Sequence, residues 1–444
     1  MSGERNDKQT FVDAELTING FTNEGAGVGR LNNMAVFVPG ALPHEKVLAR
    51  LVAVKKNFAQ AKLLQVLEPS PRRVAADCPL FGRCGGCCLQ HADYQEQLKL
   101  KNGLVAASVA RIGKLDTEIR PIIGSPLQLG YRDRISYHAL HVPNKLELGF
   151  FMYQSKVFIP ATVCMLPQEP IRALAKRLPA MLKDSCPDLR DAVIRSNDQG
   201  RLLLTLVGDN IREPQTLARE LLKAEPRLAA VWQCAGKPKF GIFGTDWRLL
   251  GGDTRFFNKT AGVKMALSPA TFTQVNPAQT ETLYRLAAEA AALTPDSELL
   301  DLYSGAGAIS LYLADKVKNV TGVEAYPPAV TDAIYNAQLN GITNCRFLTG
   351  KAEEVLPRLA AEGQKADAAI MDPPRAGCAG PVLEALRQIA PRRIVYVSCE
   401  PPTLARDMRW LADNGYQARF VQPVDMFPQT ARVECVALLE RTGD

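Results

Sequence analysis

Apolar and polar residues alternate from Phe11 to about Val66, most plainly in Val12-Asp-Ala-Glu-Leu-Thr17, and strand-like runs recur at Met34–Pro39, Val47–Lys56 and Ala61–Leu67. Period-two alternation marks strands with one buried face, and short strands parted by Gly, Asn and Pro turns in so short a stretch predict a small β-barrel. Gly25-Ala-Gly27-Val-Gly29-Arg30 has the look of a nucleotide-binding loop, yet a strand pattern follows it. Without a helix N-terminus to receive a phosphate, these glycines are expected in a hairpin turn. Glu68-Pro-Ser-Pro71 reads as a linker, since paired prolines stop a strand and favour extended chain. A helix is predicted over Tyr94–Ile112, with Tyr94, Leu98, Val105, Val109 and Ile112 on one face. Residues 131–260 mix strand-like and helical runs without a repeat.

From about Pro295 the pattern sharpens into strands at Leu299–Tyr303, Val320–Glu324, Ala366–Met371, Ile394–Ser398 and Val433–Glu440, with helical signals between them, as at Leu311–Ala314. This alternation predicts an α/β fold with a doubly wound, largely parallel sheet, whose ligands sit at the carboxyl ends of the strands.

The chain has 444 residues, 47% hydrophobic and 22% charged, which excludes a small binding module and predicts roughly two to four domains. No segment is apolar for the ~20 residues that a bilayer span needs, so no membrane association is expected. The first residues are polar and lack a signal peptide's apolar core, so cytoplasm is the expected compartment. Reducing cytoplasm keeps thiols free, so some of the eleven cysteines are expected to be metal ligands or nucleophiles. A net charge of +7 suits a polyanionic partner.

Candidate chemistry gathers at the predicted strand ends. Asp301-Leu-Tyr303-Ser-Gly305-Ala-Gly307 is a glycine turn, and Glu324 ends the next strand, where a carboxylate can accept hydrogen bonds from ribose hydroxyls. Ser310 replaces the third glycine of the dinucleotide fingerprint, so S-adenosylmethionine, with a ribose and no phosphate, fits better than NAD. Asp372-Pro-Pro-Arg375-Ala-Gly377 stiffens the end of another strand. Cys399 in Ser398-Cys399-Glu400-Pro401 stands where such folds present reactive groups. A thiolate there can add to a conjugated carbon, as methylation at pyrimidine C5 requires. Glu434, opening the last strand, is a candidate general base for the C5 proton. Cys78-x5-Cys84-x2-Cys87, with Cys164 downstream, supplies four thiolates, a number that suits both a [4Fe–4S] cluster and tetrahedral zinc. Cys88 is an extra thiol and His91 a structural residue beside them.

SCEP, DPPRAG, DLYSGAG, the Gln274-Val-Asn276 tripeptide and the DMFPQTARVE tail together resemble the RNA uracil-C5 methyltransferases, a class I (Rossmann-like) family. The resemblance implies that Gln274, Tyr303, Glu324 and Asp372 contact S-adenosylmethionine, that Cys399 is the nucleophile and that Glu434 is the base. Ser304, Glu400 and Arg432 depart from it, at places where cysteine, Asn and His are usual. The amino-terminal barrel resembles a TRAM domain, in which Lys55, Lys56 and Lys62 are expected to meet RNA phosphates. Similarity to the iron–sulfur members implies a [4Fe–4S] cluster on Cys78, Cys84, Cys87 and Cys164. Gly130-Tyr131-Arg132-Asp133-Arg134 resembles a family segment near RNA, and its aromatic-plus-arginine make-up is expected to stack a base and contact phosphate.

The organisation implied is a TRAM-like barrel over 8–67, a central α+β iron–sulfur domain over 68–267 whose helix 94–112 packs on the C-terminal domain, and a methyltransferase domain over 268–444. The barrel and the four cysteines place the resemblance with the 23S rRNA branch. The expected substrate is therefore a flipped-out uridine of 23S rRNA, and the expected state a monomer. A tRNA uracil-C5 methyltransferase, a cytosine-C5 methyltransferase and a non-catalytic RNA-binding or assembly factor are the alternatives.

Overall fold

The protein is described by a computed structural model over residues 12–182, 184–239 and 241–443, so the expected start of the barrel at residue 8 lies outside the described residues. Strands β1 (Asp13–Phe21), β2 (Ala26–Leu31), β3 (Met34–Pro39), β4 (Lys46–Val54) and β5 (Phe58–Glu68) close into a barrel in the order β1-β2-β3-β5-β4. Alternate residues such as Leu16, Ile18, Val36, Val38, Val47 and Ala49 fill it. Of the three glycines expected in a turn, only Gly25 is there, at φ +87°. Gly27 and Gly29 lie inside β2, and a Cβ on Gly27 would stand 2.7 Å from the Ala41 carbonyl oxygen, so close packing fixes that glycine. The Pro-rich linker is pinned to the barrel: buried Glu45 accepts from the Ser70 N–H at 3.2 Å and from Arg73 at 2.6 and 2.8 Å.

Helix α1 (Tyr94–Ser108) starts at Asp93, whose carboxylate accepts the Glu96 N–H at 2.8 Å, and runs into a π-helical turn, Val109–Gly113. Of the predicted face, Val105 and Val109 are buried in the C-terminal core, but polar residues share the buried side. Ile112 is 46% exposed, whereas Gln97 and Lys101 are buried with Leu100 and Leu104. The helix packs on a polar loop of the C-terminal region, and apolar periodicity cannot register polar residues whose partners lie hundreds of positions away. The short strand β6 (Glu118–Ile119) then joins the edge of the C-terminal sheet.

The central sheet comprises β7 (Arg134–Val142), β8 (Lys145–Phe151), β9 (Phe158–Pro160), β10 (Asp191–Ser196), β11 (Leu202–Val207), β12 (Leu228–Ala235) and β13 (Asp246–Gly252), in the order β13-β12-β11-β10-β7-β8-β9. Helices α2 (Glu169–Leu182) and α3 (Pro214–Ala224) lay Leu174, Leu178, Leu217 and Leu221 against Tyr137, Ile194 and Leu204. A hairpin of β14 (Phe256–Thr260) and β15 (Val263–Leu267) leads into α4 (Pro277–Ala291), capped by Asn276.

The C-terminal region follows as β16 (Glu298–Leu302), α5 (Ala308–Leu313), β17 (Asn319–Glu324), α6 (Pro327–Leu339), β18 (Cys345–Thr349), α7 (Ala352–Ala361), β19 (Ala368–Met371), α8 (Gly380–Ile389), β20 (Arg393–Ser398), α9 (Pro401–Asp413), β21 (Tyr416–Val424) and β22 (Glu434–Arg441). The sheet order is β18-β17-β16-β19-β20-β22-β21-β6, parallel through β20 and antiparallel at β22. This is the expected doubly wound α/β architecture with an antiparallel addition that carries Glu434. Among the described residues no helix is long and apolar enough to cross a membrane.

Candidate active site

Three neighbouring strands bring the reacting side chains together. Asp372 follows β19 and Cys399 follows β20. The antiparallel register pairs Ser398 with Cys435, so Cys399 lies opposite Glu434 one step further on. Glu434 is 2% exposed, and its Oε2 has no hydrogen-bond partner among the described residues. Burial and the nearby Asp372 carboxyl hold Glu434 well above the usual carboxylate range, against the pull of Arg375. Burial pushes the Cys399 thiol up to about 11, helped by Glu434 and Asp372 and opposed by the nearby guanidinium of Arg375. The sequence pattern marks Arg375 only as part of the DPPRAG motif, without a role. Its signal was available: a guanidinium on a proline-locked loop at a strand end.

The glycine turn after β16 carries backbone strain at Tyr303, φ +65°, beside Gly305 at φ +54° and Gly307 at φ +82°. A non-glycine residue in the left-handed region is held there by its surroundings: Val323 O accepts the Tyr303 and Ser304 N–H groups at 2.8 and 3.1 Å. A Cβ added at Gly305 would meet nothing within 4 Å, so this face of the turn is open for a ligand. Glu324 is oriented by two backbone bonds, Gly305 N–H to Oε2 at 3.0 Å and Tyr326 N–H to Oε1 at 2.7 Å. Gln274, on the loop between β15 and α4, reaches Asp372 Oδ2 at 3.4 Å. Burial and Asp301 push Asp372 up to about 7. Glu324 thus meets the turn through Gly305, and Gln274 meets Asp372, which lies beside Cys399, whereas the Tyr303 hydroxyl faces Cys378. The Ser304 hydroxyl is buried without a partner among the described residues.

The loop Asp425–Val433, which delivers Glu434, is gripped from several sides. Lys101 pairs with Asp425 at 2.5 Å and donates to Phe427 O at 3.0 Å, and Tyr94 donates to Asp425 at 2.8 Å. Gln97 exchanges two hydrogen bonds with Gln429, a residue at φ +72°. The Cys88 and Leu89 N–H groups bond Gln429 O at 3.1 and 3.0 Å, and Ala431 N–H donates to Cys88 Sγ at 3.2 Å.

Cys78, Cys84, Cys87 and Cys164 line one cavity of ≈ 380 Å³ together with Leu80, Phe81 and Arg132, whereas Cys88 is turned away toward Ala431. Among the described residues no group of three His, Cys, Asp or Glu side chains is placed to hold a metal ion. The Cys87 thiol is pushed up to about 12 and that of Cys164 to about 11, chiefly by burial and further by neighbouring thiols. Next to this cavity Asp133 is buried among Arg132, Arg134 and Arg195, and burial pushes its carboxyl up to about 7 despite them. Tyr131, expected to stack a base, is 1% exposed and donates to Pro428 O at 3.2 Å. It is therefore a core residue. Phe272, which lines the same cavity, is an exposed aromatic at 64%.

A family profile described as tRNA (Uracil-5-)-methyltransferase matches residues 262–442, and a TRAM domain profile matches residues 13–64. An uncharacterized RNA methyltransferase of Halalkalibacterium halodurans is 39% identical over 96% of both chains. Another, from Listeria monocytogenes, is 38% identical over 96% of this chain and 97% of its own. The crystal structure of Pyrococcus abyssi tRNA (uracil-54, C5)-methyltransferase in complex with S-adenosyl-L-homocysteine superposes with a TM-score of 0.75 at 25% identity, covering 96% of this chain and all of that one. The chain belongs to the S-adenosylmethionine-dependent uracil-C5 RNA methyltransferases, and its amino-terminal barrel is a TRAM domain.

Proposed function

We propose that this enzyme methylates C5 of a uridine in 23S rRNA, with Cys399 as nucleophile and Glu434 as base. The observation that carries the reading is the convergence of Cys399, Glu434, Arg375 and Asp372 at adjacent strand ends. Uracil C5 becomes nucleophilic only after a thiolate adds to C6. The positive charge of Arg375 favours the Cys399 thiolate where burial opposes it. S-adenosylmethionine supplies an electrophilic methyl group, and Gln274, Tyr303, Glu324 and Asp372 are the residues proposed to hold it. Glu434 then takes the C5 proton, the C5–C6 double bond re-forms and the Cys399 thiolate leaves. A carboxylate whose proton affinity is raised by burial is suited to that task. The uridine reaches this depth by flipping out of its RNA fold, at a cost of about a few kcal/mol.

Cys78, Cys84, Cys87 and Cys164 are proposed to ligate a [4Fe–4S] cluster. Around one zinc ion, bonds of about 2.3 Å would draw four sulfurs close together. In a cluster each thiolate binds a different iron, which suits four cysteines spread around one cavity. Three arginines against Asp133 leave positive charge beside the site, as an anionic centre requires. The chemistry above contains no redox step, so the role assigned is structural. Equal iron and acid-labile sulfide in anaerobically purified protein supports it, and zinc in their place overturns it.

The substrate assignment rests on the TRAM barrel with the four cysteines. The likeness to the Pyrococcus enzyme favours a second reading, methylation of tRNA. The deciding experiment incubates the protein with radiolabelled S-adenosylmethionine and either 23S rRNA or tRNA, then maps the labelled base. Cys399→Ala is expected to form no covalent RNA adduct while still binding S-adenosylmethionine. Glu434→Gln is expected to accumulate a methylated adduct, and free turnover by that variant removes Glu434 from the mechanism.

A further inference from the structure

Glu400 and Arg432 lie on the two segments that deliver the reacting side chains, one directly after Cys399 and the other two residues before Glu434. Sheet pairing between β20 and β22 ends at Ser398 and Cys435, short of both. Beyond that point the side chains meet: Arg432 Nη1 donates to Glu400 Oε2 at 2.9 Å. Glu400 is the N-cap residue of α9, where a carboxylate would ordinarily accept the helix's free N–H groups. Its side chain makes no such bond and turns to Arg432 instead.

Both ends of this link are anchored. The Glu400 N–H donates to Ser398 Oγ at 3.1 Å, and its carbonyl accepts from the Leu404 N–H and the Thr403 hydroxyl, each at 3.1 Å. On the other side the Arg432 N–H donates to Thr430 Oγ1 at 3.2 Å, and Ala431 is held by Cys88. These are two of the positions at which the chain departs from the family pattern, and the departures face each other.

We infer that the Glu400–Arg432 ion pair is a strap that fixes the turn of Cys399 against the segment of Glu434, with both members acting as positioning residues. The inference deepens the proposed function and rests on its assignment of Cys399 and Glu434. The pair is half-exposed, with side-chain exposures of 20% and 37%, and ion pairs of that kind contribute little to stability. Its effect therefore falls on geometry, where a displacement of about 1 Å can slow a reaction by about a hundredfold.

The test uses Glu400→Gln, Arg432→Gln and the double variant in single-turnover capture of RNA transcripts containing 5-fluorouridine, whose C5 fluorine no base can remove. Transcripts of 23S rRNA and of tRNA are both offered, and the one captured by the unaltered enzyme is used throughout. At saturating RNA each single variant is expected to form adduct about tenfold more slowly, with RNA affinity, S-adenosylhomocysteine affinity and melting temperature unchanged. The double variant is expected to match the single ones, since one link is broken in all three, and Arg432→Lys is expected to recover part of the rate. Single variants within about twofold of the unaltered enzyme, or losses that multiply in the double, overturn the strap. So does weakened RNA affinity in Arg432→Gln alone, which would make Arg432 an RNA contact. Absence of adduct with the unaltered enzyme removes the proposed function, and the strap with it.

Discussion

Arg375 sits at the balance point of the site, since its guanidinium is the positive group that opposes two carboxyls and burial at the Cys399 thiol. Replacing it with Met is expected to slow adduct formation by about tenfold to a hundredfold while leaving S-adenosylmethionine binding intact; an unchanged rate would show that the thiol is activated elsewhere. With the thiol near 11, the thiolate fraction grows about tenfold per pH unit across the neutral range. Adduct formation in single turnover is therefore expected to climb with pH from roughly 6 to 9, and a flat profile would contradict that ionisation. Burial and Asp301 push the Asp372 carboxyl up to about 7, so it passes from neutral to anionic as pH rises through the neutral range. An anion beside the sulfonium favours the cationic cofactor. Calorimetry is expected to show S-adenosylmethionine binding tightening as pH rises through 7, with the dependence lost in Asp372→Asn.

Elements differ in how far they could be read, and the reason is where their partners lie. The strands that carry Asp301, Glu324, Asp372 and Cys399 are buried on both faces and read as apolar runs. β18 is half-exposed at the sheet edge and β21 contains Pro423, and both escaped detection. Cys399 and Glu434 were legible as strand-end residues, but the Glu400–Arg432 contact joins positions far apart in sequence and needed the fold. Helix α1 shows the limit most clearly, because its apolar Val105 and Val109 were legible while the burial of Lys101 and Gln97 is set by Asp425 and Gln429. Lys101 and Asp425 are both wholly buried. Lys101→Met leaves the carboxylate with Tyr94 alone and is expected to cost about 3–5 kcal/mol, read by urea unfolding. Lys101→Met combined with Asp425→Leu removes both charges and is expected to be milder than the single change. If the double variant is the less stable, the burial of an unpaired charge is not the cause.

At the scale of the whole molecule, the TRAM barrel is fixed to the rest of the chain by specific contacts. Glu45 holds Arg73, Glu24 accepts the Tyr153 hydroxyl at 2.8 Å, and Gly25 packs so closely on Cys88 that a Cβ there would stand 2.4 Å from the sulfur. Cys88 also touches the loop of Glu434, so the barrel has a defined position relative to the active site. Lys55, Lys56 and Lys62 are exposed on and beside β4 and β5. A rigidly placed basic edge can hold RNA phosphates at a set distance from the reacting uridine without reading sequence. Each phosphate contact to single-stranded RNA contributes about 0.7 to the slope of log affinity against log salt. Changing all three lysines to Ala is thus expected to lower that slope by about 2 and to weaken binding across RNA sequences alike. The rate of methylation at saturating RNA is expected to stay unchanged, because all three belong to the barrel and not to the sheet that carries Cys399. An unaltered salt slope would place the phosphate contacts on another face, and a fall in the saturating rate would mean that the barrel also orients the uridine for attack.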